Sequence, residues 1–525
     1  MQIATPFRFR TTAALKAFTL AVFALIVFIC LASPSPRIQL PRQRRLRFQR
    51  PLPLNRAASI DYTDTGAASK ETIATKDESS RPTDIPLVDD ETKPTSSFDK
   101  PGENEGWSGQ SSDAVTGTST ASFLSSSTRR SCYSLEGADD VVVIIKTGST
   151  ESEEKLPVHF NKTLQCFPHY LIFSDYAEIV DDHVILDALE NVTADIRLEH
   201  EDFDLWRRLQ ADGRAALDES ELSVNDQGDP ASPFGNPENG GWRLDRFKNL
   251  PLVGKTLEHK PDAKWYIVVD ADTYVVWSNL LQWLKHLDHT KPMYLGSATF
   301  VDDQVFAHGG SGYILSSPAM HAAADAYMEE QEEWDRFAAD HWAGDCVFGT
   351  FMERKQIANL TWSFPSLQGS DPTTLDWTQI TDDKRMWCYP AVTYHHLKPS
   401  TVEALWDIEQ EWIEDSGGKS LTHGDMFKKF ALSRLKHERV AWDNLSEDEL
   451  EGHQTSDALD CRAVCESDTS CIQYSYRDRV CKTARIPKIG REDVDGVHYA
   501  GWMLGRIHNL VRDLDDCHEG GWILD

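Results

Sequence analysis

The first sixty residues contain no Asp or Glu, although the whole chain carries 84 acidic against 53 basic residues. Ten Lys and Arg fall in that stretch, so the remainder bears a formal charge of −41, by subtraction from −31. A body that acidic repels phosphate backbones, which argues against nucleic acid as a partner. Plain solubility accounts for the charge. No Gly-x-Gly-x-x-Gly follows the first apolar strand, which disfavours a dinucleotide fold. No short Cys pair recurs, which disfavours a zinc site, and no His motif recurs, which disfavours a metal-dependent hydrolase. Residues 33–131 lack sustained apolar periodicity. Rich in Ser, Thr, Pro, Gly and charge, they read as a disordered stem that cannot bury enough surface to fold.

What is present divides the rest. Residues 17–32 are uncharged and suit a transmembrane signal-anchor in a thin, early secretory bilayer, with residues 1–16 as a cytosolic tail. Arg8, Arg10 and Lys16 precede this run, but Arg37, Arg42, Arg44, Arg45, Arg47 and Arg50 follow it, against the positive-inside rule. A cleavable signal and a mitochondrial presequence are the alternatives. Nine of the ten Cys lie outside the run, four of them between Cys461 and Cys481. Sequons stand at Asn161, Asn191, Asn359 and Asn444. Together these favour an oxidising, secretory compartment, with the odd Cys left outside intrachain pairs. A single-pass type II protein of the Golgi or wider secretory-pathway membrane, its folded part lumenal, is the expectation.

Order is expected from about Cys132. Residues 140–148 read as a buried strand ending in a Gly turn, and residues 169–175 as a second strand ending in a carboxylate. Residues 158–166 suit a short helix between them. This βαβ opening predicts an α/β nucleotide-binding sheet. Residues 213–241 read as loop, and residues 242–258 as one helix. Ser278 is the expected N-cap of a helix that keeps Leu280, Leu281, Leu284 and Leu287 on one face. Trp277 and Trp283 are expected in the core. The whole domain should span residues 132–440, followed by a separate, disulfide-stabilised Cys-rich module over 457–525.

The chain is organised around Lys264-Trp-Tyr-Ile-Val-Val-Asp270-Ala-Asp272-Thr-Tyr-Val275. An apolar strand buried on both faces runs into two carboxylates one residue apart. Ligands bind at such carboxyl ends in open α/β sheets. Two hard oxygen donors there suit a divalent cation holding a diphosphate. By itself an Asp-x-Asp is more often a capped turn.

Three further stretches change that balance: Gly309-Gly-Ser-Gly-Tyr-Ile-Leu-Ser316, Gly344-Asp345-Cys-Val-Phe-Gly349, and Thr393-Tyr-His395-His396. With the acidic strand, in this order over about residues 138–400, they resemble glycosyltransferase family 31, notably its fringe and core 1 β1,3-galactosyltransferase branch. The family's acidic motif usually has three Asp; Ala271 replaces the middle one here. The resemblance implies a GT-A-type α/β fold with a mixed, mostly parallel sheet, and Mn²⁺ or another divalent cation. It implies metal ligation by Asp270, Asp272 and His395, with His396 as the alternative imidazole. Asp345 would be the catalytic base of a single inverting displacement, or merely a helix N-cap whose pKa the helix start lowers. Thr147, Gly148, Asp175, Asp270, Gly309, Gly310 and Gly312 would contact the UDP-sugar donor. The activity implied is transfer of a hexose or N-acetylhexosamine, β1,3-linked, to a glycan on protein or lipid. Cys spacing and Gly501-Trp502 give the tail a PAN/apple-like look. The alternative is a binding protein with a degenerate transferase fold, for which Ala271 and the 213–241 insertion are the reasons.

Overall fold

The computed structural model describes residues 132–525, apart from 226–235, 302, 450–454, 494–495, 497, 519 and 525. The expected tail, anchor and stem (1–16, 17–32 and 33–131) lie outside the described residues. Among the described residues no helix is long and apolar enough to cross a membrane.

The first eleven strands in chain order are β1 (Val141–Lys146), β2 (Tyr170–Ser174), β3 (Glu178–Val180), β4 (His183–Asp187), β5 (Trp265–Asp270), β6 (Tyr274–Val275), β7 (Tyr294–Gly296), β8 (Ala298–Val301), β9 (Gln304–Ala307), β10 (Tyr313–Ser316) and β11 (Leu360–Trp362). Eight of them form one sheet in the order β11-β7-β10-β5-β1-β2-β4-β3. Four of its neighbour pairs are parallel (β1 with β2, β1 with β5, β2 with β4, β7 with β11) and three are antiparallel. The fold is therefore mixed α/β around a mostly parallel sheet, as expected.

The period of two explains why β1 and β5 sit in the middle. Val142, Ile144, Tyr266 and Val268 join the core on one face. Val141, Val143, Ile145, Trp265, Ile267 and Val269 join the core on the other. Both faces are apolar, so both must be covered by helices. Residues 152–161 form the first crossover helix, Ser152–Asn161, which starts earlier than expected. The single helix expected over 242–258 is two, Gly240–Asp245 and Pro251–His259. Pro251 lacks an N–H and favours a first helical turn, so the chain restarts there.

Ser278 is not the N-cap of the helix after the acidic strand. That helix runs Trp277–Leu284, and Ser278 gives its N–H and hydroxyl to buried Glu409, at 2.7 and 2.8 Å. Glu409 also accepts from the Tyr274 hydroxyl at 2.5 Å. A carboxylate on the Pro399–Asp415 helix thus caps a helix start from 131 residues away. Glu409→Ala is expected to lower unfolding free energy by about 3 kcal/mol, since it strands two hydroxyls and a buried N–H. Urea denaturation checks this; a loss under about 1 kcal/mol would contradict the capping role. Trp277 and Trp283 are fully buried, as expected.

The Cys-rich tail does not pack by itself. Its antiparallel sheet includes Glu438–Val440 and Asp448–Glu449, which precede residue 457. Ala500, Trp502 and Ile507 share one apolar cluster with Tyr274, Trp377 and Tyr394. Cys388 is bonded to Cys517 across this junction, and Trp283 donates to the Ile523 carbonyl at 2.6 Å. The other disulfides are Cys132–Cys166, Cys461–Cys481 and Cys465–Cys471. Buried Cys346 takes no part in these four.

The sequons separate by burial. Asn161, Asn191 and Asn359 are exposed. Asn444 is fully buried, and its amide donates to the carbonyls of Tyr474 and Gly501 at 3.0 and 3.4 Å. Expression in a host that adds N-glycans should modify the first three and leave Asn444 bare. Glycopeptide mass spectrometry would show this; full occupancy at Asn444 would contradict the packing described.

Candidate functional site

The site forms where β1 and β5 end. Their parallel register sets Lys146 beside Asp270. The Lys146 ammonium lies 3.0 Å from Asp270 Oδ1 and 2.6 Å from Asp245 Oδ2. Burial alone would push the Lys146 ammonium down, but Asp245 and Asp270 outweigh it and hold it charged. Asp270 is thereby committed to a lysine. For Asp270, burial favours the neutral form, while Lys146 and His395 prevail and lower its pKa.

Asp272 faces a different set. Its Oδ2 is 3.1 Å from Lys155 Nζ, and its Oδ1 is 3.0 Å from His395 Nδ1. Burial opposes its charge, yet His395 and Lys155 hold its pKa well below the ordinary carboxylate value. The His395 ring shows the reciprocal effect. Burial pulls its pKa down, but Asp272 and Asp270 raise it above the usual imidazole value.

Distant chain segments meet here through a short ladder. Thr393 pairs with Val275 and Tyr394 with Tyr274, antiparallel. Leu397 N–H donates to the Asp272 carbonyl at 3.0 Å. In a continued strand, His395 and His396 would point to opposite faces. Instead His396 has φ +60°, in the left-handed region. The turn brings the two rings together, with centroids 4.0 Å apart. Such a backbone is uncommon outside Gly, and it clusters at functional sites.

Asp272, His395 and His396 each offer a donor atom, and these atoms lie within 4.8 Å of one another. One carboxylate and two imidazoles suit a divalent transition-metal ion. Asp272 Oδ1 and His395 Nδ1 lie 3.0 Å apart as an ion pair, close enough for one ion to touch both. The residues fit a divalent cation. Of the expected ligands, Asp272 and His395 belong to this triad together with His396, the alternative imidazole, and Asp270 does not.

The loop after β9 joins the triad to Asp345. Gly310 sits against the His395 ring, so closely that a Cβ there would collide with it. The Gly310 carbonyl accepts from the Thr273 hydroxyl at 2.8 Å, and that hydroxyl lies 3.0 Å from His395 Nδ1. Gly309 N–H donates to Asp345 Oδ2 at 2.8 Å. Asp345 lies in the first turn of the Gly344–Arg354 helix, one residue beyond its start, and Ala343 is the N-cap. Its Oδ1 accepts from Cys346 N–H at 2.9 Å. Burial outweighs these two bonds and the nearby His308 and Lys146, so the Asp345 pKa is raised. This reverses the expected lowering by the helix start: desolvation is the larger effect, and it strengthens Asp345 as a base.

All of this opens on one cleft of about 740 Å³, a volume suited to a nucleotide-sized ligand. Gly148, Asp270, Asp272, Gly309, Gly310, Asp345 and His395 line it, as does His396. Thr147, Asp175 and Gly312 do not line it. Asp175 is fully buried; it accepts from Ser149 N–H at 2.9 Å and pairs with Lys248 at 3.3 Å. The Thr147 carbonyl accepts from Lys248 at 2.6 Å. Gly312 has φ +81° and makes the turn into β10. These three residues, expected as donor contacts, brace the chain beside the cleft. Sequence reasoning missed Lys146, Lys155 and Thr273. A Lys ending an otherwise apolar strand was the available signal for Lys146.

Ala271 also has a physical place. Its side chain packs in the apolar cluster with Val269 and Val275, and its carbonyl meets His159 Nε2 at 2.7 Å. A third carboxylate there would enter apolar surroundings.

Two comparisons with known proteins give matches. Residues 235–364 match the family model for Fringe, described as Fringe-like. The chain is also similar to a solved glycosyltransferase involved in the glycosylation of the major capsid of PBCV-1, at 13% identity and TM-score 0.22, covering 52% of this chain and 98% of that one. The matched segment takes in the acidic strand, the Gly309–Gly310 loop and Asp345, while β1 and the two His lie outside it. By this match, residues 235–364 are a Fringe-like segment of the chain.

Proposed function

We propose that this protein is a metal-dependent, inverting glycosyltransferase that moves a hexose or N-acetylhexosamine from a UDP-sugar to a glycan on protein or lipid, in β1,3 linkage. The observation that carries the reading is the convergence, in one cleft of a Fringe-like domain, of a carboxylate–imidazole triad and a separate buried carboxylate. Asp272, His395 and His396 would hold the cation, Mn²⁺ or a similar ion. A cation there supplies Lewis acidity toward the diphosphate of the donor. Lys146 fixes Asp270 on the same wall, and Gly309 and Gly310 let the backbone approach the donor sugar closely. Asp345 takes the proton from the acceptor hydroxyl as its oxygen bonds to the anomeric carbon. The bond from that carbon to the phosphate oxygen breaks in the same step, and UDP leaves. One displacement inverts the anomeric configuration and needs only this base.

The four disulfides and three exposed sequons support a secretory location. A Golgi membrane, anchored through residues 17–32 with the catalytic domain lumenal, is part of the proposal, as is a PAN/apple-like role for the tail. A UDP-sugar donor screen on the purified protein with Mn²⁺, followed by linkage analysis, tests the reading. The expected result is release of UDP and a β-linked product from at least one donor. UDP binding with no turnover across the panel would favour the alternative, a non-catalytic carbohydrate- or protein-binding protein.

A further inference from the structure

The two lysines beside the acidic pair differ in how firmly they are held. Lys146 is 4% exposed and locked between Asp245 and Asp270. Lys155 is 21% exposed and projects from the first crossover helix onto the cleft wall. It sits 3.1 Å from Asp272 Oδ2, the carboxylate oxygen that His395 leaves open. It sits closer still, 2.7 Å, to Glu151, four residues before it on the same helix. Lys155 therefore has two anionic partners. One is a metal-ligating carboxylate, and the other keeps the ammonium paired if the first is withdrawn.

We propose that Lys155 is a displaceable counter-ion of the metal site. This rests on the proposed role of Asp272, His395 and His396 as cation ligands. Without a divalent cation, Lys155 pairs the Asp272 Oδ2 that His395 leaves open, so both oxygens of the buried carboxylate face a cationic partner. When a cation binds, Lys155 gives up Asp272 and stays on Glu151 at the cleft wall, where the ammonium faces an anionic donor. Cation affinity is then set by competition with an internal ammonium. The strength of that competition is set by Glu151.

The test reads binding of Mn²⁺ alone, by titration calorimetry, on full chains with and without substitution. Lys155→Gln removes the competitor and one positive charge, and should tighten Mn²⁺ binding about tenfold or more. Glu151→Gln leaves Lys155 with Asp272 as its sole anionic partner, and should weaken Mn²⁺ binding several-fold. The double substitution decides the mechanism. If Glu151 acts through Lys155, its effect largely vanishes in the Lys155→Gln background. If Glu151 acts only by its own charge, its effect persists there unchanged, and the proposal falls. Unchanged or weaker Mn²⁺ binding by Lys155→Gln also overturns it, as does no binding by any of the variants. Thermal melts of each variant identify loss of fold, and in that case Lys155→Met replaces Gln in the series. Failure of the donor screen is a separate result. Mn²⁺ binding tightened by Lys155→Gln in a protein that turns over no sugar would sustain this inference and defeat the catalytic one.

Discussion

Asp345→Asn is expected to lower the transfer rate about 10²–10⁴-fold, the range that general-base catalysis supplies. The substitution is nearly isosteric, so the fold should survive. Asn can still accept one of the two N–H groups that Asp345 satisfies, from Gly309 or from Cys346. Its amide nitrogen then faces the other, a donor against a donor, which costs about 1–3 kcal/mol. Linkage offsets part of that cost. The folded Asp345 pKa is raised by burial, so the native state holds its proton more tightly than the unfolded chain does. The ionised carboxylate therefore works against folding above that pKa. The penalty is relieved as pH falls through the raised value toward the ordinary one. The same shift fixes the sign of the rate profile. A base must be ionised, so kcat/KM should fall as pH drops through the raised Asp345 pKa. That acid limb should lie above the ordinary Asp value and disappear in Asp345→Asn. A pH–rate profile of both proteins checks this. An acid limb unchanged in the residual activity of the variant would contradict the assignment.

Gly310→Ala should be nearly as damaging, through a different route. The Cβ it adds would strike the His395 ring. Neither side can move freely. The Gly310 carbonyl is held by Thr273, and the ring is held by Thr273 and Asp272. The imidazole must rotate away from its ligand position, with an expected loss of about 10–100-fold in Mn²⁺ affinity. Gly309→Ala is the matched control. A Cβ there meets Asp345 at 3.3 and 3.4 Å, tight but not overlapping. It should leave Mn²⁺ affinity within a few-fold of wild type while perturbing the rate. Calorimetry with Mn²⁺ separates the two. Equal metal affinities for Gly310→Ala and wild type would contradict the placement of His395.

These contrasts depend on features of unequal visibility in the sequence. The central strand was legible because five consecutive apolar residues, Trp265 to Val269, present apolar side chains to both faces and are best satisfied inside a sheet, and β5 runs Trp265–Asp270. Asp272 and His395 came together as expected. Asp270 and Asp175 look alike from sequence, each a carboxylate ending an apolar strand. Which lysine or amide each meets is set by register and by crossover helices, and neither is encoded locally. Asp270 turned to Lys146 because parallel pairing put them side by side. Asp175 turned inward to Ser149 and Lys248.

The inclusion of His396 depended on one backbone angle. A left-handed residue after a two-residue ladder is invisible to periodicity, which would send adjacent side chains to opposite faces. The same limit hid the capping of the Trp277–Leu284 helix by Glu409. Ser278 has the right residue type for an N-cap, but a buried carboxylate from a later helix took that role. In the tail, Cys spacing correctly signalled disulfides, yet it could not reveal that Glu438–Val440 and Asp448–Glu449 would complete the sheet. Small modules with too little core borrow strands and apolar surface from their neighbours.

Anomalous diffraction at the manganese edge, from crystals grown with Mn²⁺ and UDP, tests the central claim most directly. The account predicts one strong peak within bonding distance of Asp272, His395 and His396, beside the diphosphate and in the same cleft as Asp345. A peak elsewhere, or UDP seated away from that triad, would contradict it.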